Sequence, residues 1–317
     1  MKKTFTNIGK VLLLPALVYC IFLIIIFDRF SKPSCLYTIF LQSIIPTITA
    51  YGVAFGFISG IFDFTIGARI VISGIVGGLL ATNYGIPGLL AGCLLASLAA
   101  AAFTGILNWA CRIPSLIVTL GLTMILEIVG KNMAGRFSFI LLDNSNTILG
   151  SAPYIIFILI ACLLLYHFID RRTTFSYELK AVGSNEAIAK SAGIHTQYVK
   201  FMTFIVGAVF VAIAAMLTIS QSGSMGAQIN LGSVMLVFKP LMSIIIALAL
   251  QRACPLAVGI FIGQFTLNTI FVGLIAAGLP DTFQNVALGF FLLVVIIFSN
   301  NLAAFRGLIK KPQKMNS

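Results

Sequence analysis

The sequence predicts an all-α, polytopic integral membrane protein with about ten transmembrane helices and one short cytoplasmic helix. Of its 317 residues, 60% are hydrophobic and 9% are charged, with a mean hydropathy of +1.09. A soluble domain carries roughly a quarter charged residues. Apolar runs of the ~20 residues that cross a bilayer recur along the whole chain. One long polar stretch, residues 170–200, interrupts them.

The polar stretch 170–200 holds 8 of the 28 Asp, Glu, Lys and Arg residues and includes His195, one of only two histidines. Charges and unpaired backbone groups each cost several kcal/mol in hydrocarbon, on the order given for buried polar groups. The stretch is therefore predicted to be a loop in water with membrane spans on both sides.

Ten apolar segments fit the chain, which we interpret as one transmembrane domain covering residues 1–317. Recurring glycines, such as Gly52 and Gly56 or Gly259 and Gly263, predict helix faces where another backbone can approach closely. The N-terminus is interpreted as an uncleaved first span, because no small-residue cleavage pattern follows it. The predicted spans are 11–27, 38–57, 64–82, 87–107, 114–130, 153–168, 201–220, 234–250, 254–278 and 286–304.

Lys and Arg are distributed unequally between the predicted loops. If both termini are cytoplasmic, 15 of the 20 basic residues fall on the cytoplasmic side and 4 outside, with Lys239 inside a span. Positive charge gathers on the cytoplasmic side of membrane proteins. The pattern therefore places the loop 170–200 in the cytoplasm and explains the net charge of +12 without a nucleic-acid partner.

The motifs of several enzyme classes are missing from the sequence. It has no phosphate-cradling G-x-x-x-x-G-K-[ST], no H-E-x-x-H and no G-x-S-x-G. The six cysteines are scattered without a C-x-x-C pair. We therefore expect neither an enzyme nor a cofactor or metal site.

Polar residues at membrane depth are costly and often face a cavity or a partner. A local helix end or an interhelical hydrogen bond also explains many of them. Two charged residues, Asp63 and Lys239, are the hardest to explain in that way. The candidates for a translocation path are Asp63, Thr65, Asn83, Lys239 and Asn268.

Within the loop, the sequence predicts a helix of about two turns over residues 186–192. Ser184 or Asn185 can cap it, and Glu186 suits its first turn. Glu186 and Lys190 are spaced as a favourable ion pair, and Gly193 can end the helix with a left-handed backbone. Such a short helix is marginal alone in water, which favours a docking partner.

These residues carry a resemblance to a known family. The stretch Ala181–Ile194 (AVGSNEAIAKSAGI) resembles the cytoplasmic loop of permease subunits from bacterial ATP-binding-cassette importers, in the simple-sugar group that includes ribose-type and autoinducer permeases. Three further stretches are similar and occur in the same order. They are GIFDFTIG at 60–67, RIPSLIVTLGLTMIL at 112–126 and NLGS at 230–233.

The resemblance implies a non-enzymatic permease of the bacterial inner membrane that moves a sugar or sugar-like solute by alternating access. It implies three kinds of protein partner: cytoplasmic ATPase subunits, a second identical or different permease subunit, and an external solute-binding protein. The residues that would couple to the ATPase are Gly183, Asn185, Glu186, Lys190 and Gly193.

The sequence departs from that group after NLGS. The group's acidic E-L-x-A-I-A element is replaced by VMLVFKPLMSIIIA, which contains Lys239, and its glycine-rich segment is replaced by ALALQRACPLAVG. The substrate is therefore left open. Two other classes stay as alternatives: a secondary transporter with Asp63, Glu127 or Lys239 in an ion relay, and a membrane scaffold or sensor that transports nothing.

Overall fold

The computed structural model describes residues 2–111, 113–136, 138–251 and 253–280, with the isolated positions 283, 286 and 289. These residues are mostly helical, as predicted, with two short strands, β1 (Phe139–Leu141) and β2 (Ser224–Gly226). The helices are α1 (Lys2–Ile25), α2 (Phe27–Phe30), α3 (Pro33–Ile58), α4 (Thr65–Cys111), α5 (Ser115–Met133), α6 (Tyr154–Arg172), α7 (Thr174–Ser184), α8 (Glu186–Ser191), α9 (Thr196–Ser222), α10 (Met235–Leu250) and α11 (Leu256–Ala276).

The longest helix, α4, is a hairpin of two spans. Its 47 residues would extend about 70 Å as one helix, more than twice the hydrocarbon thickness. Gly85 interrupts it with a φ of 59°. Beyond this break the chain folds back, because a Cβ at Gly92 would lie only 2.8 Å from the Cα of Gly77. The two halves, 65–84 and 86–111, match the predicted spans 64–82 and 87–107.

Seven helices of the described chain are long and apolar enough to cross a membrane, and the shorter apolar segment Leu12–Ile25 precedes them. Counting α4 as two, these segments match the first nine predicted spans. The tenth, 286–304, lies outside the described residues apart from positions 286 and 289. Six of the 15 basic residues counted on the cytoplasmic side also lie outside the described residues. They are Arg112, Arg252, Arg306, Lys310, Lys311 and Lys314. The total of ten therefore stays a prediction.

The centre of the protein is formed by α3 and α9, which pack against each other and against α4. Their backbones meet at two glycines. A Cβ at Gly52 would lie 2.9 Å from the carbonyl oxygen of Gly207, and one at Gly207 would lie 2.7 Å from that of Gly52. A Cβ at Gly263 on α11 would lie 2.7 Å from the Ser243 carbonyl oxygen on α10. The predicted close approach of glycine-bearing faces is confirmed at these positions.

The helix α6 lies at the edge of the bundle. Its large apolar residues Phe157, Ile160, Leu164 and Phe168 are exposed and recur every three or four positions. They form a continuous stripe along one face of the helix. In a membrane protein such a stripe faces lipid or another subunit.

Contacts between loops fix which loops share a side of the membrane. β1 follows α5 and β2 follows α9, and the two strands pair antiparallel with Ile140 opposite Met225. At the other end, α7 touches the end of α3, because a Cβ at Gly183 would overlap the carbonyl oxygen of Ile58. The segments after α5 and α9 therefore lie at the same end of the bundle, and so do α7 and the end of α3.

A buried carboxylate fixes the segment that leads into α10. Glu127 on α5 is 3% exposed. Its Oε2 accepts a hydrogen bond from the Leu231 backbone N–H at 2.9 Å, and its Oε1 accepts from the Ser233 N–H at 2.9 Å and the Ser233 hydroxyl at 2.6 Å. Asn230 and Leu231 both have left-handed φ angles, 58° and 61°. The carboxylate thus holds an unfavourable turn and accepts hydrogen bonds from the partly buried Leu231 and the fully buried Ser233.

We expect Gly52→Ala to destabilise the protein, because the new methyl group meets the Gly207 backbone, which cannot move aside. Overpacking of this kind costs about 1–3 kcal/mol. Gly121→Ala on α5 is the matched control, since nothing lies within 4 Å of its Cβ position. The measurement is the thermal unfolding midpoint in detergent. Equal midpoints for the two variants would mean that α3 and α9 do not touch at Gly52.

We expect Glu127→Ala to weaken the 231–233 turn, because three donors lose their acceptor. Each unsatisfied buried donor costs about 1–3 kcal/mol. Ser233→Ala removes only one of the three bonds and should lower the unfolding midpoint less. The reactivity of a cysteine at the buried position 234 with a soluble thiol reagent would report the freed turn. Unchanged reactivity in Glu127→Ala would contradict the assignment.

Candidate functional site

The polar stretch 170–200 folds into the end of α6, the helices α7 and α8, and the start of α9. The helix α7 was not predicted. Thr173 caps its N-terminus by accepting a hydrogen bond from the Ser176 N–H at 3.3 Å. Lys180 on α7 forms an ion pair with the buried Asp170 of α6 at 2.6 Å. The stretch is thus a folded platform attached to the membrane helices.

The capped helix predicted for residues 186–192 is present as α8, one residue shorter at its C-terminus. Asn185 is the cap: its Oδ1 accepts a hydrogen bond from the Ile188 N–H at 3.1 Å. Gly193 has a φ of +85° and donates to the Lys190 carbonyl at 3.1 Å. Both local signals, the Asx cap and the glycine stop, are therefore confirmed.

The predicted pair between Glu186 and Lys190 is wrong. Glu186 Oε1 instead accepts a hydrogen bond from Lys200 Nζ at 2.7 Å, so it bridges α8 to α9. Spacing along one helix suggested Lys190, but the turn after Gly193 brings α9 back alongside α8. Lys190 is exposed beside this contact.

The two faces of α8 have different roles. Ala189 is 4% exposed and packs inward, whereas Ile188 is 67% exposed. Ile188 therefore lies on the face of α8 that points away from the rest of the protein. Gly183, before α8, allows α7 to touch the end of α3. It positions the platform, and its contribution to coupling stays a prediction.

An open cleft of about 860 Å³ lies beside α8. Trp109, from the end of α4, and Tyr198, from the start of α9, lie on its wall with 60% and 58% of their surfaces exposed. We call this cleft together with α8 the coupling surface. Sequence reasoning missed both aromatic residues, because they belong to helices other than α8. Exposed Trp and Tyr beside a concave surface are typical of protein interfaces.

A second concave site lies within the membrane helices. This cavity of about 430 Å³, which we call the polar cavity, is bounded by α3, α4, α9 and α10. Ile45, Pro46, Ile70, Met235, Leu236 and Pro240 form the apolar part of its wall. The polar wall residues are Gln42, Thr49, Thr218, Gln221 and Lys239.

Lys239 is the only one of the five predicted path residues that lines the polar cavity. Its Nζ also lies 4.4 Å from the ring centroid of Phe271, within the range of a cation–π contact. The sequence prediction missed Gln42 and Gln221. For Gln42 the only signal was a polar residue inside an apolar run, whereas Gln221 lies at the polar end of a span.

Asp63 and Thr65 lie apart from the cavity lining, where α4 begins. Asp63 Oδ1 accepts from the Thr65 N–H at 3.0 Å and from its hydroxyl, and Oδ2 pairs with the fully buried Arg69. Arg69 also donates to the Phe204 carbonyl on α9 at 3.5 Å. The cluster satisfies the backbone where the helix starts and joins it to α9.

The other two path candidates are also separate. Asn268 on α11 donates to the Ser43 hydroxyl of α3 at 3.0 Å. Asn83 is exposed near the Gly85 turn of α4. Assignment of these residues to a path stays a prediction. The described part of the chain contains no group of three His, Cys, Asp or Glu side chains that could hold a metal ion.

Comparisons with known proteins identify relatives along most of the chain. An autoinducer 2 import system permease protein LsrC from Enterobacter sp. (strain 638) is 26% identical over 272 residues, covering 83% of this chain and 78% of the relative. A tyrosine transport system permease protein from Clostridioides difficile (strain R20291) is 28% identical, covering 71% and 79%.

A probable ABC transporter permease protein, YphD of Escherichia coli (strain K12), is 26% identical. The match covers 59% of this chain and 57% of the relative. No solved structure matches the chain. A family model described as "Branched-chain amino acid transport system / permease component" matches residues 35–299. That match covers most of the chain, including the coupling surface and the polar cavity. The chain therefore belongs to this family of transport permeases.

Proposed function

We propose that residues 1–317 form the membrane-spanning permease subunit of an ATP-binding-cassette importer for a sugar or sugar-like solute in the bacterial inner membrane. The observation that carries the proposal is α8, a capped helix that exposes Ile188 beside the aromatic cleft. The autoinducer and tyrosine permeases named above, both transport proteins, support it.

ATP hydrolysis in this proposal takes place in partner chains, because the sequence lacks a phosphate-cradling loop. The partners are cytoplasmic ATPase subunits on the coupling surface, a second permease subunit, and an external solute-binding protein. A lipid-lying helix would expose large apolar side chains together with Lys and Arg. Ile188 is the one large apolar residue of α8, which favours a protein partner.

The helix α9 connects the two candidate sites. Its first residues carry Tyr198 of the coupling surface and Lys200, which binds Glu186 of α8. Its last turns carry Thr218 and Gln221 of the polar cavity. With 27 residues, α9 is about 40 Å long. A displacement of α8 is therefore transmitted along one continuous helix, α9, to the cavity. Alternating access needs such a connection between the ATPase side and the solute site.

The ion-relay alternative receives less support from the geometry. Asp63 pairs with Arg69, and Glu127 binds the backbone of Leu231 and Ser233. Neither carboxylate lines the polar cavity that contains Lys239. A relay needs groups that exchange protons or ions with one another, and these three lie in separate environments.

We expect the coupling surface to face the cytoplasm, as the distribution of Lys and Arg indicates. In a variant without the six native cysteines, Tyr177→Cys should react with an impermeant thiol reagent only from the cytoplasmic side. Gly226→Cys on β2 should react only from outside. Both positions are exposed. Reaction of both cysteines from the same side would overturn the topology and the placement of the ATPase.

We expect Gly193→Val to abolish ATP-driven uptake without loss of the protein from the membrane. Valine at a φ of +85° costs at least about 1–2 kcal/mol, enough to displace a six-residue helix but not the bundle. The measurements are uptake and ATPase co-purification in cells that also express candidate ATPase and solute-binding subunits.

Gly135→Val is the matched control for this prediction. Gly135 also has a positive φ, +73°, and open space at its Cβ position, but it lies after α5 at the predicted outer side. ATPase co-purification should survive in Gly135→Val and fall in Gly193→Val. Normal co-purification and uptake in Gly193→Val would mean that α8 is only a connector.

A further inference from the structure

The exposed apolar stripe of α6 continues into two arginines. Phe168 ends the stripe, and Arg171 and Arg172 follow it by three and four positions. Residues at these spacings lie on one face of a helix, and both arginines are exposed. At the other end of the stripe the exposed Tyr154 precedes Phe157 by three positions. One face of α6, which we call the α6 face, therefore runs from a tyrosine through apolar side chains to an arginine pair.

The length of the α6 face matches a bilayer. The helix has 19 residues, which extend about 28 Å, close to the ~30 Å of the hydrocarbon core. Tyrosine is enriched at membrane interfaces, and Lys and Arg gather on the cytoplasmic side. Of the seven candidate spans in the described chain, α6 is the least buried, with 28% of its most apolar stretch inside the protein. The arginine pair therefore lies at the level of the lipid headgroups.

One carboxylate lies close to the arginine pair, and several basic residues share it. Asp170 is buried. It binds Lys180 Nζ at 2.6 Å and lies 3.7 Å from the Nε of Arg171, whose side chain remains 54% exposed. Arg172, the next residue, adds a third positive charge to this region. Asp170 alone therefore does not balance the charge at the end of α6.

The other acidic side chains of the sequence can all be placed. Asp63 and Glu127 are engaged within the bundle, and Glu186 binds Lys200. Three more belong to loops that the sequence predicts to be external: Asp28, Asp143 and Asp281. The eighth, Glu178 on α7, is on the same side as the arginine pair. With Asp170 and Glu178 counted against Arg171, Arg172 and Lys180, the region still has a net positive charge.

A second permease subunit fits the α6 face less well than lipid does. Membrane helices that pack together use small residues, as α3 and α9 do at Gly52 and Gly207. The helix α6 contains no glycine, and large side chains form its stripe. In a dimer with its two-fold axis across the membrane, α6 would meet the same residues of its partner. The two arginine pairs would then repel each other.

We infer that the α6 face binds an anionic phospholipid of the cytoplasmic leaflet, such as phosphatidylglycerol, with the phosphate at Arg171 and Arg172. Guanidinium groups bind phosphate through paired N–H donors. The acyl chains then lie along Phe168 and the apolar residues before it. The Tyr177 hydroxyl on α7 donates to the Arg171 carbonyl at 3.4 Å, so the lipid lies where the platform joins the membrane helices. This inference does not depend on the proposed transport function.

The test measures lipid preference beside the arginine pair in the full-length chain. Trp109, the one tryptophan, is replaced by Phe, and Phe168→Trp supplies a fluorescent reporter on the α6 face. Quenching by brominated phosphatidylglycerol and by brominated phosphatidylcholine in reconstituted vesicles gives the relative binding constant of the two lipids. We expect the anionic lipid to bind about fivefold more strongly or more. The ratio should fall toward one in Arg171→Gln/Arg172→Gln and persist in Arg171→Lys/Arg172→Lys.

The variant Lys131→Gln/Arg136→Gln is the matched control. It removes two positive charges from exposed positions at the end of α5, on the predicted outer side, and should leave the ratio unchanged. Quenching by phosphatidylcholine alone shows in every variant that the reporter faces lipid, which distinguishes a folding defect from a lost headgroup contact. A ratio near one in the parent, or an unchanged ratio without the arginines, would overturn the inference. Absence of quenching by either lipid would mean that a protein subunit covers the α6 face, which also overturns it.

Discussion

Every backbone N–H and C=O within hydrocarbon must find a partner inside the protein, and this requirement shapes each break in the helices. Where α4 begins, Asp63 accepts the Thr65 N–H and draws in the buried Arg69. Where the chain enters α10, Glu127 takes the N–H groups of Leu231 and Ser233. Asp63 and Glu127 are therefore explained by the interrupted helices beside them.

The second organising feature is the glycine contact between α3 and α9. Gly52 and Gly207 bring the two backbones together, so these helices form one tightly packed body. The platform of α7 and α8 is attached to that body through Gly183 and the Glu186–Lys200 pair. The polar cavity lies between the same body and α10. The width of the cavity therefore depends on how closely α10 packs against this body.

Sequence reasoning succeeded where the signal is local and failed where it depends on the fold. Membrane spans follow from the length of apolar runs, and Asn185 and Gly193 are recognisable because caps use neighbouring backbone groups. The partner of Glu186 was missed because Lys200 comes alongside only after the chain turns. Gln42 and Lys239 meet at one cavity although they lie on α3 and α10, and no spacing rule along the chain connects such residues.

The contact of Glu127 with the 231–233 turn also has a consequence for biogenesis. Leu231 is 104 residues downstream of Glu127, which at 5–20 residues per second means about 5–20 s of synthesis. During that interval the carboxylate of α5 lacks these donors, although a charged side chain within a membrane span normally needs a partner. The carboxylate of α5 therefore obtains its partners only after most of the second half of the chain has been made.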